Sequence, residues 1–455
     1  MKKYLFVALL AIATLIVSLL PHSAVESELQ SLRFSPEICP ASKNSTQIVV
    51  AGSLSKVQLF RGKKSKVSTV KKAFTTLSPL PNDWVEISES AGAPVLVDRS
   101  EGLSLLACPG IAEPAWFVGG SSDLASQDQL VLANDGASAA TLLVKMWSNE
   151  DRPLEIAITV NARTSRNVRL DTLAPGVKSM VLYIEPQVGR VSVSLQSKRK
   201  TGFKFGGADY ISASAAPSLE QIIPIVIGVN KRAVKKPVTK LAKKKMKKAP
   251  IIPQASVPIR TLRVLAPGAS GATFTATLLA SDGSYIPVGL DGILLEAGRV
   301  KEFTFTASVP LELSALRISS DAPVVASVNN DDVDYAWSPS VGGMEKESAL
   351  LVPPKGILAL IAARGPAVVL VKAGSGSVTS LPVSTEKLTT WVNKSKNWAL
   401  IHVSSDGTVH GSIMLAESSG IALLPIRNRV RVGSGSLPMS DLSVTRGGAS
   451  LPTSG

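Results

Sequence analysis

Leu-Val-Leu-Ala-Asn-Asp-Gly-Ala-Ser-Ala-Ala-Thr, residues 130–141, returns as Leu-Arg-Val-Leu-Ala-Pro-Gly-Ala-Ser-Gly-Ala-Thr at residues 262–273. In both copies a short apolar run meets a Gly-containing turn, and a second strand-like run follows. Such a pattern reads as strands reversed by tight turns. The match continues downstream. Leu170-Asp171 answers Leu290-Asp291, and 190–195 answers 323–328. Asp209-Tyr210 answers Asp334-Tyr335, and Pro224 answers Pro353. The preserved order marks an internal repeat. A third, degenerate copy runs from 358 to 426.

Strand signals extend beyond the repeats. Ile48-Val49-Val50, Val57-Gln58-Leu59-Phe60 and Val95-Leu96-Val97 are short, apolar and bounded by turn residues. Residues 273–278 and 303–306 alternate cleanly between polar and apolar. A sheet with one apolar face needs a second sheet to cover it. The expected fold is therefore all-β, with tandem β-sandwich-like repeats. Three units of this length are too few and too large for the blades of a propeller.

The chain has 455 residues, which suits several domains rather than one core. Its 34 Gly and 29 Pro argue against long helices. Met1-Lys2-Lys3 precedes an apolar stretch, 4–20, and Pro21-His22-Ser23-Ala24 follows. That is the charged, apolar, small-residue order of an export signal. The stretch is long for a signal core and short for a span of about 20 residues. Cleavage after Ala24 and retention as a membrane anchor both stand. Either predicts an exported chain, extracellular or anchored to the outer face of the cytoplasmic membrane. Membrane contact would run through 4–20, with Lys2 and Lys3 inside.

Cys39 and Cys108 are the two cysteines. A pair beyond an export signal predicts a disulfide. Closing a loop of roughly 70 residues, it would contribute on the order of 4 kcal/mol. Two cysteines and three scattered histidines give no metal-ligand spacing, so neither metal nor cofactor is expected.

Formal net charge is +15, and much of it sits in one run. Lys231, Arg232, Lys235, Lys236, Lys240, Lys243, Lys244, Lys245, Lys247 and Lys248 occur with no acid among them. Like charges at this density repel and bury no core, which predicts a disordered linker. The run is a candidate polyanion-binding segment. Export and the lack of interleaved aromatics argue against nucleic acid. The predicted division is 1–24 signal or anchor, 25–115 N-terminal β domain with the disulfide, and 116–228 first repeat. The basic linker at 229–256 follows, then the second repeat at 257–355, the third at 356–428 and a flexible tail at 429–455.

Ser53-Leu54-Ser55-Lys56, Ser165-Arg166-Asn167 and Lys200-Thr201-Gly202 imitate the motif order of penicillin-binding enzymes. That chemistry needs a serine opening a helix, so that its hydroxyl meets the lysine one turn on. Ser53 stands instead among strand-like residues. His402 and His410 have no obvious nucleophile partner, so no catalytic residue is expected. Residues 329–334, Asn-Asn-Asp-Asp-Val-Asp, lack the glycine and distal glutamate of a calcium loop. Trp116-Phe117-Val118-Gly119-Gly120 reads as a core plug at a domain junction. Trp337, Trp391 and Trp398 read as core.

Several of these features together resemble a family of exported actinobacterial proteins known only as a domain of unknown function. They are Ile38-Cys39-Pro40, Cys108 before Trp116-Phe117-Val118-Gly119-Gly120, the start of the first repeat, the 282–290 stretch and Pro323-Val324-Val325-Ala326. The resemblance covers about 35–427. It implies an envelope location and supplies no catalytic residues. The lysine run is not part of the pattern. The expected function is a non-catalytic, exported envelope scaffold or adaptor with an unknown envelope protein as partner. The alternative is a binding module for anionic or glycan envelope polymers through the basic run. A penicillin-binding-type serine enzyme is the least favoured reading.

Overall fold

The computed structural model describes residues 33–432, apart from 35, 41–45, 53–54, 63, 150–152, 202–203, 228–258, 281–282, 307–312, 332–334, 345–346, 374–376 and 428–430. The export segment, the basic run and nearly all of the tail therefore lie outside the described residues. Among the described residues, regular secondary structure is antiparallel strand, apart from one helical turn at Leu170–Leu173. The all-β, sandwich-like expectation holds.

Four units share one strand order. In unit 1 the strands are, in order, Glu37–Cys39, Thr46–Ala51, Lys56–Arg61, Lys64–Thr69, Phe74–Leu77, Trp84–Ser88, Val95–Asp98 and Ser104–Ala107. They form two four-stranded sheets, ordered 1-6-3-4 and 5-2-7-8. Unit 2 repeats both orders with Ala115–Phe117, Gln129–Asn134, Ala140–Trp147, Leu154–Val160, Thr164–Arg169, Val181–Val188, Val191–Thr201 and Lys204–Ile211. Unit 4 repeats them with Glu347–Val352, Ile357–Ala362, Ala367–Ala373, Val378–Val383, Thr389–Val392, Ala399–Ser405, Val409–Glu417 and Gly420–Pro425.

Unit 3 has the same plan with two departures. Its sixth and seventh strands are one strand, Leu313–Asp331. The first half pairs with Ser218–Ile227 and Ala272–Leu279, the second with Ile259–Leu265 and Tyr335–Pro339. Lys301–Thr306 is the fifth strand. The fourth is reduced to two fragments, Ser284–Tyr285 and Ile293–Leu295, both on Ala272–Leu279.

This pairing differs from the sequence-based division in three ways. Residues 25–115 hold a copy of the repeated unit rather than a separate kind of domain. Ser218–Ile227, placed by sequence in the first repeat, is hydrogen-bonded into unit 3. The third copy looks degenerate from 358 because its first strand, Glu347–Val352, precedes that point. Residues 228–258 thus connect the first and second strands of one unit.

The second strands explain the continuous apolar runs. Ile48 and Val50 face the core of unit 1, while Val49 and Ala51 face a neighbouring unit. Leu358 and Leu360 point inward, and Ala359 and Ile361 outward onto unit 3. A strand buried on both faces reads as an unbroken apolar run. Third strands are half-exposed and alternate: Ala272, Phe274, Ala276 and Leu278 are buried, with threonines between. Asn134 makes the turn after its strand. Its Oδ1 accepts from Gly136 N at 2.8 Å, and its Nδ2 donates to the Ser138 and Val160 carbonyls.

The units pack head to tail. The outer face of each 1-6-3-4 sheet covers the 5-2-7-8 sheet of the next unit. Ile38, Phe60 and Trp84 meet Ala133 between units 1 and 2. Trp147 and Val181 meet Leu265, Val300 and Val325 between units 2 and 3. Ile222 and Ala315 meet Ile361 between units 3 and 4. Leu351 joins Val49, Val95 and Val97 between units 4 and 1. The last contact returns to the first unit, so the heterologous interface closes into a ring. Eighth strands of successive units touch all the way round. Arg33–Phe34 pairs with Arg431–Val432, joining the two ends of the described chain. Arg99–Glu417 and Arg427–Glu113 are ion pairs across the same closure.

Candidate functional site

The seams between units hold the buried polar chemistry. At the seam of units 2 and 3, Trp116 stacks 5.2 Å from Trp147 and lies 4.7 Å from Tyr183. Phe117 is core, and the Val118 carbonyl accepts from the Ser327 hydroxyl. Gly120 has φ +100°, open to glycine at little cost. Its carbonyl accepts from Arg263 Nη1 at 2.8 Å, as does that of Met180. Nε and Nη2 of Arg263 donate to Glu302 Oε1 at 2.9 and 2.7 Å. The guanidinium lies 4.8 Å from the Trp337 ring centroid. This aromatic–glycine stretch is a junction plug clamped by a buried cation.

Asp128 lies nearby. Its Oδ1 accepts from Ser197 Oγ at 2.8 Å and Lys198 N at 3.0 Å, and its Oδ2 from Ser121 N at 2.8 Å. Burial pushes its carboxyl up to about 6, and the three hydrogen bonds oppose that rise. The Ser197 hydroxyl also lies 3.1 Å from that of Tyr335 in unit 3. At the seam of units 1 and 2, Arg190 forks onto Asp135, its Nη2 2.6 Å from Oδ2, with both side chains buried. Glu86 of unit 1 is buried on the facing sheet. Burial, and then the Asp135 charge, push its carboxyl up to about 7. These groups fix how units meet.

The enzyme-like motifs are not brought together. Ser53 lies outside the described residues. The Ser55 hydroxyl donates to the Ala51 carbonyl, and Lys56 pairs with Glu89 at 2.9 Å, both in unit 1. Ser165 and Asn167 lie on an edge strand of unit 2, and Lys200 on another strand of the same sheet. His410 Nδ1 donates to the Val341 carbonyl at 2.8 Å, and burial lowers its pKa. His402 is exposed on strand Ala399–Ser405. Asn330 Nδ2 donates to Ser338 Oγ, and 332–334 lie outside the described residues. Trp337 is buried in the core of unit 2, while Trp391 and Trp398 are half-buried against the core of unit 4. Cys39 and Cys108 form a disulfide that ties the first strand of unit 1 to the end of its eighth.

Two surface features stand out. A cavity of about 620 Å³ opens on unit 2 beside Asp123, Arg169 and Asp171, whose charges are satisfied locally by Arg169–Asp171 and Arg199–Asp123 pairs. The other is the outer edge of unit 3, where the fourth strand is broken. Tyr285 is 45% exposed, Ile286 49%, Val288 97% and Leu294 74%. The loop between the fragments is held by Ala276 N donating to the Leu290 carbonyl at 2.8 Å. Sequence reasoning noted the 282–290 stretch only as a point of resemblance. Its density of large apolar residues among glycines was the available signal.

Residues 90–392 match a family of unknown function, DUF5719. No curated protein matches the chain. Among solved structures, the crystal structure of Thermotoga maritima 1070 is similar at 18% identity and TM-score 0.21, over 22% of this chain and 92% of that one. A tetra-tandem repeat in the extending region of a large adhesion protein is similar at 9% identity and TM-score 0.12, over 90% of this chain and 97% of that one. At these TM-scores neither likeness carries an argument.

Proposed function

We propose, from the premise that the chain belongs to the DUF5719 family of unknown function, that it is a non-catalytic, exported protein of the cell envelope that presents rigid β surfaces to other envelope components. The closed ring carries this reading. Four units buried against each other at four seams form a stiff body whose loops and outer edges are left to make contacts. The disulfide supports an oxidising compartment.

Fractionation of cells expressing the chain, with thiols alkylated at lysis, tests it. The chain should appear in the envelope or medium with Cys39 and Cys108 oxidised. A cytoplasmic chain with both thiols reduced would sink the proposal.

A second reading is contact with an anionic envelope component through the basic run at 231–248. One observation favours it. The run lies between consecutive strands of one folded unit rather than between two separate bodies, so the strands on both sides of it belong to unit 3. Retention on purified cell walls that fails at high salt is the expected behaviour. Retention unchanged when the run is replaced by serine would remove it.

A further inference from the structure

We propose that the broken outer edge of unit 3, formed by Tyr285, Ile286, Val288 and Leu294, is a docking surface for an anionic lipid bilayer. The four copies of the unit provide an internal control. The fourth strands of units 1, 2 and 4 each expose one large apolar side chain, Val67, Leu154 and Val378 respectively. Unit 4 adds Val368 and Leu370 on the neighbouring third strand, whereas the corresponding stretch of unit 3, 284–295, exposes four, Tyr285 and Leu294 in the strand fragments and Ile286 and Val288 in the loop between them. No unit covers it, because the seams use other strands of the sheet. Single exposed apolar residues are ordinary, whereas a cluster marks an interaction site.

Charge selects the occupant. Unit 3 also differs in the connection between its first and second strands, which holds ten cations and no acid. The end of the first strand, Ile227, pairs with Leu313, and Leu279, at the end of the third, pairs with Ala315. The basic connection therefore leaves unit 3 at the same end of the sheet as the hairpin carrying Tyr285. Among the described residues, the acids along the edge are held locally. Asp291 accepts from Thr275 Oγ1 at 2.9 Å, and Glu296 pairs with Arg299 and Lys301. A soluble polyanion offers nothing to apolar side chains. A bilayer with anionic headgroups offers both an apolar phase and a negative surface potential.

The ring closes on itself from Arg33 onward, so a chain beginning at Val25 keeps every described strand. Such a chain is mixed with phosphatidylglycerol vesicles and, separately, with phosphatidylcholine vesicles, and the bound fraction is read by flotation. Binding to phosphatidylglycerol alone, weakened by salt, is expected. The variant Y285S/I286S/V288S should bind about tenfold more weakly. L124S, which removes a fully exposed leucine on unit 2, should bind as the parent does. An unchanged melting temperature shows that the variants are folded. Equal binding of the triple variant and the parent would overturn the proposal, as would no preference for phosphatidylglycerol. Binding to soluble polyphosphate but not to vesicles would replace the bilayer with a polymer. The inference rests on the exported reading, but the vesicle assay does not depend on cellular location. Failure here and failure in fractionation are therefore distinguishable.

Discussion

The Arg263 guanidinium of unit 3 lies 2.8 Å from the Gly120 carbonyl oxygen of unit 2 and is 1% exposed. One side chain thus satisfies two carbonyls across the seam and a glutamate on its own sheet. Removing it strands Glu302 and leaves both carbonyls without this donor. R263M should cost about 3 kcal/mol, the usual cost of breaking a buried pair from one side. R263K keeps the charge but loses the fork and should fall between. Denaturant midpoints of the three proteins check this. A midpoint unchanged in R263M would show that the seam does not depend on the cation.

Glu86 makes the seam of units 1 and 2 sensitive to pH. Its folded carboxyl is pushed up to about 7, from 4.5 for a free glutamate. A raised carboxyl pKa means that the folded state holds the proton more tightly. Its stabilising effect is full below pH 4.5 and is lost as pH rises through 7. The difference corresponds to about 3 kcal/mol. E86Q keeps the shape and cannot ionise. It should be more stable than the parent above neutrality and equal to it in acid. Melting curves across this range provide the check, and parallel pH profiles of the two proteins would refute the assignment.

Strand-level structure was legible because its causes are local. Apolar runs such as Ile48-Val49-Val50 and the alternation at 273–278 are set by which faces are buried. Asn134 and Gly136 declared their turn. The unit frame was less legible. First strands as short as Glu37–Cys39 carry little pattern, and Ser218–Ile227 is separated from its partner, Leu313–Asp331, by the rest of its unit. The match of Leu170-Asp171 to Leu290-Asp291 is not kept: the former follows a fifth strand and the latter precedes one. Ring closure depends on seams between distant segments, which no single stretch encodes. Arg263 did carry a signal. It interrupts an apolar strand where the first copy has Val131.

The imitation of penicillin-binding motifs gives a direct test of the non-catalytic proposal. Ser55 and Lys56 belong to unit 1, and Asn167 and Lys200 to unit 2. The Lys56 ammonium is already paired with Glu89. A fluorescent penicillin should leave the chain unlabelled after denaturing electrophoresis. Stoichiometric labelling at Ser53 or Ser55 would restore the enzyme reading.

The disulfide is buried in unit 1, where the ring closes on unit 4. Cys39 ends the three-residue first strand of unit 1, and Cys108 follows the eighth strand of the same unit. That strand lies among the four that touch in turn around the ring, and the terminal pairing of Arg33–Phe34 with Arg431–Val432 is close in sequence to Cys39. A crosslink spanning 69 residues restricts the unfolded chain strongly and should contribute about 4 kcal/mol. Reduction, or C39S/C108S, should therefore lower the melting temperature and expose the first strand before the rest. Amide hydrogen exchange locates that opening. Loss of protection confined to 37–39 and the terminal pair would show the bond pinning the closure. Uniform loss across all four units would show instead that the ring opens as one body.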